Sequence, residues 1–223
     1  MTITTDSTVG KVAAEYPLAT RVFARHDIDY CCGGGAPLGT VCKKKGLDAQ
    51  LVIEEIQKEI EASPFAPERW DTAPLNDVID HILAAYHRPQ LEELRRLDAM
   101  LRKVVSVHGD KDPERLNELL GVFLALEGDL FYHFAKEEQV LFPLIRRGQG
   151  ATADGPMSVM HDEHDSAGAA LRRIRELTNN YEVPAEACTT WLALWHGLEA
   201  FEESLHQHIH IENNILFPRA LQS

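Results

Sequence analysis

One stretch of this sequence occurs twice, and it restricts the possible fold more than any other feature. His133-Phe-Ala-Lys-Glu137-Glu-Gln-Val-Leu-Phe-Pro143 is echoed by His208-Ile-His-Ile-Glu212-Asn-Asn-Ile-Leu-Phe-Pro218. In both copies Glu follows His by four residues and Leu-Phe-Pro falls at the same offsets. Four residues of α-helix give about 400° of rotation and about 6 Å of rise, so each His and Glu share a face. The echo continues upstream. Leu119, Phe123, Leu126 and Leu130 stand at the same offsets before His133 as Leu194, Leu198, Phe201 and Leu205 before His208. Each His–Glu pair therefore lies on the apolar stripe that a helix turns toward a core. A buried carboxylate is costly unless it is paired or coordinated. A single His-x3-Glu is ordinarily an interhelical salt bridge or hydrogen bond. Two copies in register predict a site for two metal ions, with a carboxylate-bridged di-iron centre as the expectation.

Long 3.6-residue periodicity predicts four helices, roughly 75–107, 113–147, 156–180 and 185–221. Pro113, Pro156 and Pro184 stand at or near helix starts, and Gly148, Gly150 and Asn179-Asn180 mark ends. Short connections imply an antiparallel four-helix bundle. A weaker echo links helices one and three: His87 precedes Arg95-Arg96-Leu97 at the offsets by which His164 precedes Arg172-Arg173-Ile174. The bundle thus reads as two related helix hairpins, with donors His87, His133, Glu137, His164, His208 and Glu212 drawn from all four helices. Aligning the copies excludes Glu138, whose counterpart Asn213 ligates poorly. His206 and His210 lie about 160° around the helix from His208 and are expected to face solvent. His81 is read as a flanking residue, His161 as a competitor of His164, and His108 as a helix-end residue. Pro89, just behind His87, predicts a kink in the first helix. Two His per metal, two bridging carboxylates and an oxo or hydroxo bridge would leave each ion one position short of octahedral. Imidazole with carboxylate suits iron, manganese or zinc.

Residues 1–62 form a small helical unit of their own, 63–74 a Pro-rich linker, and 75–223 the bundle. In the first unit Asp27-Ile-Asp-Tyr-Cys31-Cys32-Gly33-Gly34-Gly35 reads as a loop. About 60 residues make a marginal core, so this unit is expected to lean on another domain or a second subunit, as in a homodimer. With 44% hydrophobic and 26% charged residues the chain is globular, and its net charge of −13 argues against nucleic-acid binding. No apolar run is long enough for a membrane span, and the N-terminus lacks a secretory pattern. Four Cys are too few and too irregular for a disulfide framework, so a cytoplasmic location is expected.

Over nearly its full length the chain resembles the iron–sulfur cluster repair di-iron family (YtfE/ScdA, or RIC). The resemblance is carried by the doubled motif, by Ser158-Val-Met-His-Asp-Glu-His-Asp165, by Pro184-Ala-Glu-Ala-Cys-Thr-Thr-Trp191 and by Asp27-Ile-Asp-Tyr-Cys31-Cys32-Gly-Gly. It implies an all-α fold, a hemerythrin-like four-helix bundle preceded by a ScdA-type domain. It also implies a cytoplasmic bacterial protein, made under nitrosative or oxidative stress, that repairs damaged iron–sulfur clusters by donating iron. Its two iron ions would react with nitric oxide, and the family's ligands fall on the six donors above. Glu163 matches an acidic residue proposed to help iron leave, and Asp129 stands where a second is expected as Glu. Expected partners are damaged iron–sulfur proteins and NO or O2.

Cys31 and Cys32 read either as small apolar residues at a Gly-rich turn or as a thiol site that binds iron or NO or exchanges disulfides. Adjacent thiols on such a loop favour the thiol site. Cys42 and Cys188 are read as structural. Two other functions fit the bundle alone: a hemerythrin-like carrier or sensor of O2 or NO, and an NO reductase producing N2O.

Overall fold

A computed structural model of the chain describes residues 2–64, 68–185 and 187–223; positions 65–67 of the expected linker lie outside the described residues. Every regular element among the described residues is helical, apart from one antiparallel bridge between Thr8 and Pro37. The N-terminal unit holds α1 (Val9–Glu15), α2 (Ala19–Arg25), α3 (Leu38–Lys45) and α4 (Ala49–Ala62). Pro17 separates α1 from α2, since a proline inside a helix lacks a donor and clashes with the preceding turn. Gly46, at φ +69°, ends α3 in the left-handed conformation that a residue without Cβ adopts freely. Asp48 starts α4 by accepting the backbone N–H of Gln50 at 2.8 Å. Val9, Val22, Phe23, Leu38, Cys42 and Ile56 are fully buried in the small core this builds.

The bundle is made of α5 (75–108), α6 (113–146), α7 (Asp154–Leu177) and α8 (189–220). Asp112 caps α6 through the Arg115 N–H, with Pro113 at the first helical position. The third helix ends at Leu177, earlier than its periodicity predicts, because Asn179, Asn180 and Tyr181 all have φ between +51° and +60°. The fourth begins at Thr189, with Cys188 extended at its cap.

Three of the four bundle helices are interrupted by a π-helical turn: Ile82–His87, Glu137–Leu141 and Glu212–Leu216. Each is followed within two residues by a proline, Pro89, Pro143 or Pro218, in the first turn of the next α-helical segment. Widening the turn to i→i+5 removes the bond that proline cannot make and gives its ring room. The kink expected at Pro89 is thus absorbed by a π turn ending at His87. Helix α7, with no proline beyond its first turn, is α-helical throughout.

Two apolar clusters fill the bundle. One contains all eight echoed residues, including Leu119, Phe123, Leu194 and Phe201, together with Trp195. The other holds Val78, Ile82, Phe142, Ile145, Leu216 and Phe217. The N-terminal unit leans on the bundle: Cys31 is part of the first cluster and Ala14 of the second. No helix among the described residues is long and apolar enough to cross a membrane.

Candidate metal centre

Between the two apolar clusters lies a layer of six polar side chains. His87, Glu137, His208 and Glu212 are 0% exposed, His164 2% and His133 3%. They form two sets of four donors, His87–Glu137–His208–Glu212 and His133–Glu137–His164–Glu212, whose ligand atoms lie within 4.8 Å of one another. The two sets share both carboxylates. His87 Nε2 is 3.3 Å and His133 Nε2 3.4 Å from Glu137 Oε2, and His164 Nε2 is 3.2 Å from Glu212 Oε2. Despite these distances, His87 Nε2, both oxygens of Glu137 and Oε2 of Glu212 are buried without a hydrogen-bond partner. A buried acceptor left unmade costs about 1–3 kcal/mol, more when charged. Donors each about 2.1 Å from one cation stand roughly 3–4 Å apart, so this donor set fits cations better than it fits hydrogen bonding.

The electrostatics agree. Burial and the neighbouring Glu212 charge push the Glu137 carboxyl up, against the pull of His133 and His87. Burial acts the same way on Glu212, but His208 and His164 outweigh it and hold that carboxyl well below its usual range. Two carboxylates this close and this dry repel each other unless a proton or a cation stands between them.

All four imidazoles are held from behind. The Nδ1 atoms of His87, His133 and His164 lie 2.8 Å from Glu138 Oε1, Glu163 Oε2 and Asn213 Oδ1, and His208 Nδ1 lies 3.0 Å from Gln90 Oε1. Each of these oxygens accepts the Nδ1–H, which leaves the Nε2 lone pair facing the centre. Gln90 is itself oriented by donating to Ser204 Oγ at 3.0 Å. Each donor set has one carboxylate-backed and one amide-backed imidazole. Aromatic rings close the site: Phe134 stacks on His87 at 4.3 Å and Tyr86 on His208 at 5.3 Å. Tyr86 also lines a cavity of about 280 Å³ between α1, α2, Trp70 and α8.

The other residues singled out by sequence separate clearly. Glu138 is not among the inner donors, and it orients His87 instead. His161 is exposed, outside both sets, and does not displace His164. Glu163 also pairs with Lys136, and its side chain is 34% exposed, so it links the layer to solvent. Asp129 is exposed. Cys31 is 4% exposed, with its Sγ 3.8 Å from that of Cys32 and 3.2 Å from Asp29 Oδ1. The hydrogen bond to Cys32, with burial, pushes the Cys31 thiol up. The Cys32 thiol faces the carbonyl of His164 at 3.5 Å.

Two expectations need correction. His210 does not face solvent; it is 5% exposed and its Nδ1 lies 3.1 Å from the Tyr30 carbonyl. The N-terminal unit covers a face of α8 that the bundle's own periodicity leaves outside. Cys188 is exposed rather than structural, 3.3 Å from His108 Nε2, and backbone N–H groups of Trp191 and Thr190 pull its thiol down. His108 is buried beneath it, its ring tilted against that of Trp191 at the end of the bundle away from the polar layer. Sequence reasoning also missed Gln90 and Asn213. Their signal was position: one lies three residues after His87, the other directly after Glu212.

Comparison with known proteins places these features in a family. Residues 78–220 match the hemerythrin HHE cation binding domain, and residues 5–60 match ScdA_N, a domain of unknown function. Over 218 residues the chain is 43% identical to the iron–sulfur cluster repair protein YtfE of Escherichia coli strain UMN026, covering 97% of each chain. The iron–sulfur cluster repair protein YtfE of Citrobacter koseri is 43% identical over 216 residues, again covering 97% of each.

Proposed function

The chain belongs to the family of iron–sulfur cluster repair proteins that join a ScdA_N domain to a hemerythrin HHE cation binding domain, and on that premise we propose that it holds two iron ions and repairs iron–sulfur clusters damaged by nitrosative or oxidative stress. The observation that carries this reading is the buried pair of donor sets sharing Glu137 and Glu212, three of whose four carboxylate oxygens have no hydrogen-bond partner among the described residues. His87 and His208 would hold one iron, His133 and His164 the other, and the two glutamates would bridge them. Bound iron supplies both a centre that reacts with NO or O2 and the iron delivered to a damaged cluster.

The protein's part is to hold and to release. Glu138, Glu163, Asn213 and Gln90 keep the imidazole lone pairs inward, and the two apolar clusters keep bulk water out. Phe134 and Tyr86, packed on His87 and His208, suit the layer to diatomic ligands rather than to a large substrate. Glu163, partly exposed behind His133, offers a departing cation a carboxylate outside the centre. Cys31 and Cys32, seated against the His164 backbone, form the thiol site that assists transfer or docking to the recipient. Work in the cytoplasm on damaged iron–sulfur proteins, with no role for nucleic acid or membrane, follows from the same reading.

A carrier or sensor would need the bundle alone and leaves the buried Cys31–Cys32 contact without a purpose. The test is reactivation of a nitrosylated iron–sulfur enzyme by the purified iron-loaded protein, alongside iron analysis. The expected result is two iron ions per chain and more recovered activity than equal free ferrous iron gives. Equal recovery would remove the donor role.

A further inference from the structure

The π-helical turn Glu212–Leu216 presents three consecutive side chains to three different places. Glu212 enters both donor sets. Asn213 accepts the Nδ1–H of His164 at 2.8 Å. Asn214 reaches the other way: its Nδ2 donates to the carbonyls of Tyr30 and Cys31, both at 3.2 Å. Asn214 therefore grips the backbone of the loop that carries the two thiols.

The grip is built into the N-terminal unit. The Asn214 side chain lies in a slot between Gly10 and Gly34, joined by a hydrogen bond from Gly10 N–H to the Gly34 carbonyl at 2.7 Å. A Cβ on Gly10 would fall 1.9 Å, and one on Gly34 2.6 Å, from Asn214 Oδ1, so the slot exists only because both residues are glycine. The other end of the loop touches the centre too, through the Cys32 thiol on the His164 carbonyl at 3.5 Å. The matching turn, Glu137–Leu141, has no such contact among the described residues, and Gln139, the counterpart of Asn214, is exposed. Docking of this kind is not a requirement for presenting a carboxylate to the centre.

We propose that metal occupancy at Glu212 and seating of the Cys31–Cys32 loop are coupled through this turn, with Asn214 as the positioning residue. The inference rests on the reading that Glu212 holds a cation. With the carboxylate drawn to a cation, the turn keeps its register and Asn214 stays in its slot. Without one, the unpartnered Glu212 oxygen beside Glu137 favours rearrangement of the turn, and the loop is released with its thiols. Coupling is reciprocal: whatever factor metal lends to loop seating, loop seating lends to metal affinity.

The experiment uses the full-length chain, stripped with a chelator or loaded with ferrous iron, with metal content measured in each sample. Iodoacetamide alkylation of Cys31 and Cys32 is followed by peptide mass spectrometry, with exposed Cys188 as internal reference. The expected result is that metal slows Cys31 and Cys32 relative to Cys188 by about fivefold or more, the lower range of measured site-to-site coupling. Asn214→Ala should abolish most of that difference and speed iron loss to a chelator by a similar factor. Gly10→Ala, blocking the slot from the other side, should act likewise, and Asn214→Asp, which keeps the size but loses the donor, should resemble Asn214→Ala. Iron uptake by the wild-type chain with unchanged thiol rates would overturn the coupling while leaving the metal centre intact. No iron uptake at all would overturn both. The wild-type comparison needs no variant, so a failure of Asn214→Ala to fold does not remove the test.

Discussion

The two π turns that carry the shared carboxylates have the same design and different surroundings. Glu137 and Glu212 occupy equivalent positions, and Leu-Phe-Pro follows each. Between them the copies diverge: Glu138 faces Asn213, Gln139 faces Asn214 and Val140 faces Ile215. Val140 is 51% exposed, whereas Ile215 is 4% exposed beneath the N-terminal unit. Beyond the proline, Leu144 corresponds to Arg219, whose guanidinium donates to the Trp70 and Ala73 carbonyls and ties residues 70–73 to α8. Positions where the copies agree supply the donors of the polar layer, and Glu138 and Asn213, though different, each back one of its imidazoles. The differences farther along the turn, at Asn214, Ile215 and Arg219, build what only one half possesses, the seat of the Cys31–Cys32 unit.

The largest effect should come from equivalent truncations on the two turns. Ile215→Ala is expected to cost about 2–5 kcal/mol in chemical denaturation, as for other buried large-to-small changes. Val140→Ala should stay within about 0.5 kcal/mol, as surface changes do. Similar losses would mean that the second turn is not covered in solution.

The residues behind the imidazoles should be alike in strength although unlike in kind. Removing one by Gln90→Leu or Asn213→Leu is expected to weaken metal affinity about 10–100-fold, while Gln139→Ala leaves it unchanged. Competition against a chelator of known affinity measures this, and a large effect at Gln139 would erase the distinction between the turns.

Next in size is a change of opposite sign. In metal-free protein, Glu137→Gln replaces a buried, unpartnered carboxylate with a neutral amide that can donate to Glu212. It should stabilise the metal-free form by about 1–2 kcal/mol while losing metal from the loaded form. Thermal melts with and without iron check both signs.

The smallest effect concerns pH on the covered side. His81 stacks on Trp70 at 4.0 Å, and burial pulls its imidazole down. The folded state then binds fewer protons than the unfolded state near and below the ordinary histidine value of about 6.5, so stability rises with pH through that window and falls on acidification. His81→Phe should flatten this part of the stability–pH curve, whereas Val140→Ala should leave it unchanged.

Much of the centre was readable in the sequence because a helix turns spacing into direction. The offset of four residues put His133 with Glu137 and His208 with Glu212, and the echo separated Glu137 from Glu138. The π turns did not spoil this reading, because each His–Glu pair ends where its turn begins. What escaped depends on contacts between distant segments. His210 was assigned to solvent because one periodic stripe reports one core, and its second neighbour, Tyr30, lies 180 residues away. Cys188 and His108 meet across 80 residues, from the ends of different helices. Proline signals an interruption in a helix but not its form, so Pro89 pointed to the place in the first helix where a π turn forms without specifying the turn.

The polar layer also has a mechanical consequence. It divides the bundle into two apolar clusters, with charged groups where continuous packing would otherwise join them. Cations held in the layer, as proposed, would act as mortar between two blocks. Without them, the block that holds Val78, Ile82, Phe142 and Phe217 would be fastened to the longer one through the layer's partly unpartnered polar groups and covalent helix continuity. Local opening then has a natural seam, and the two ends of the bundle are free to melt separately. A protein that gives up its metal in use would loosen along that seam as it does so, and rebinding metal would restore a single cooperative unit.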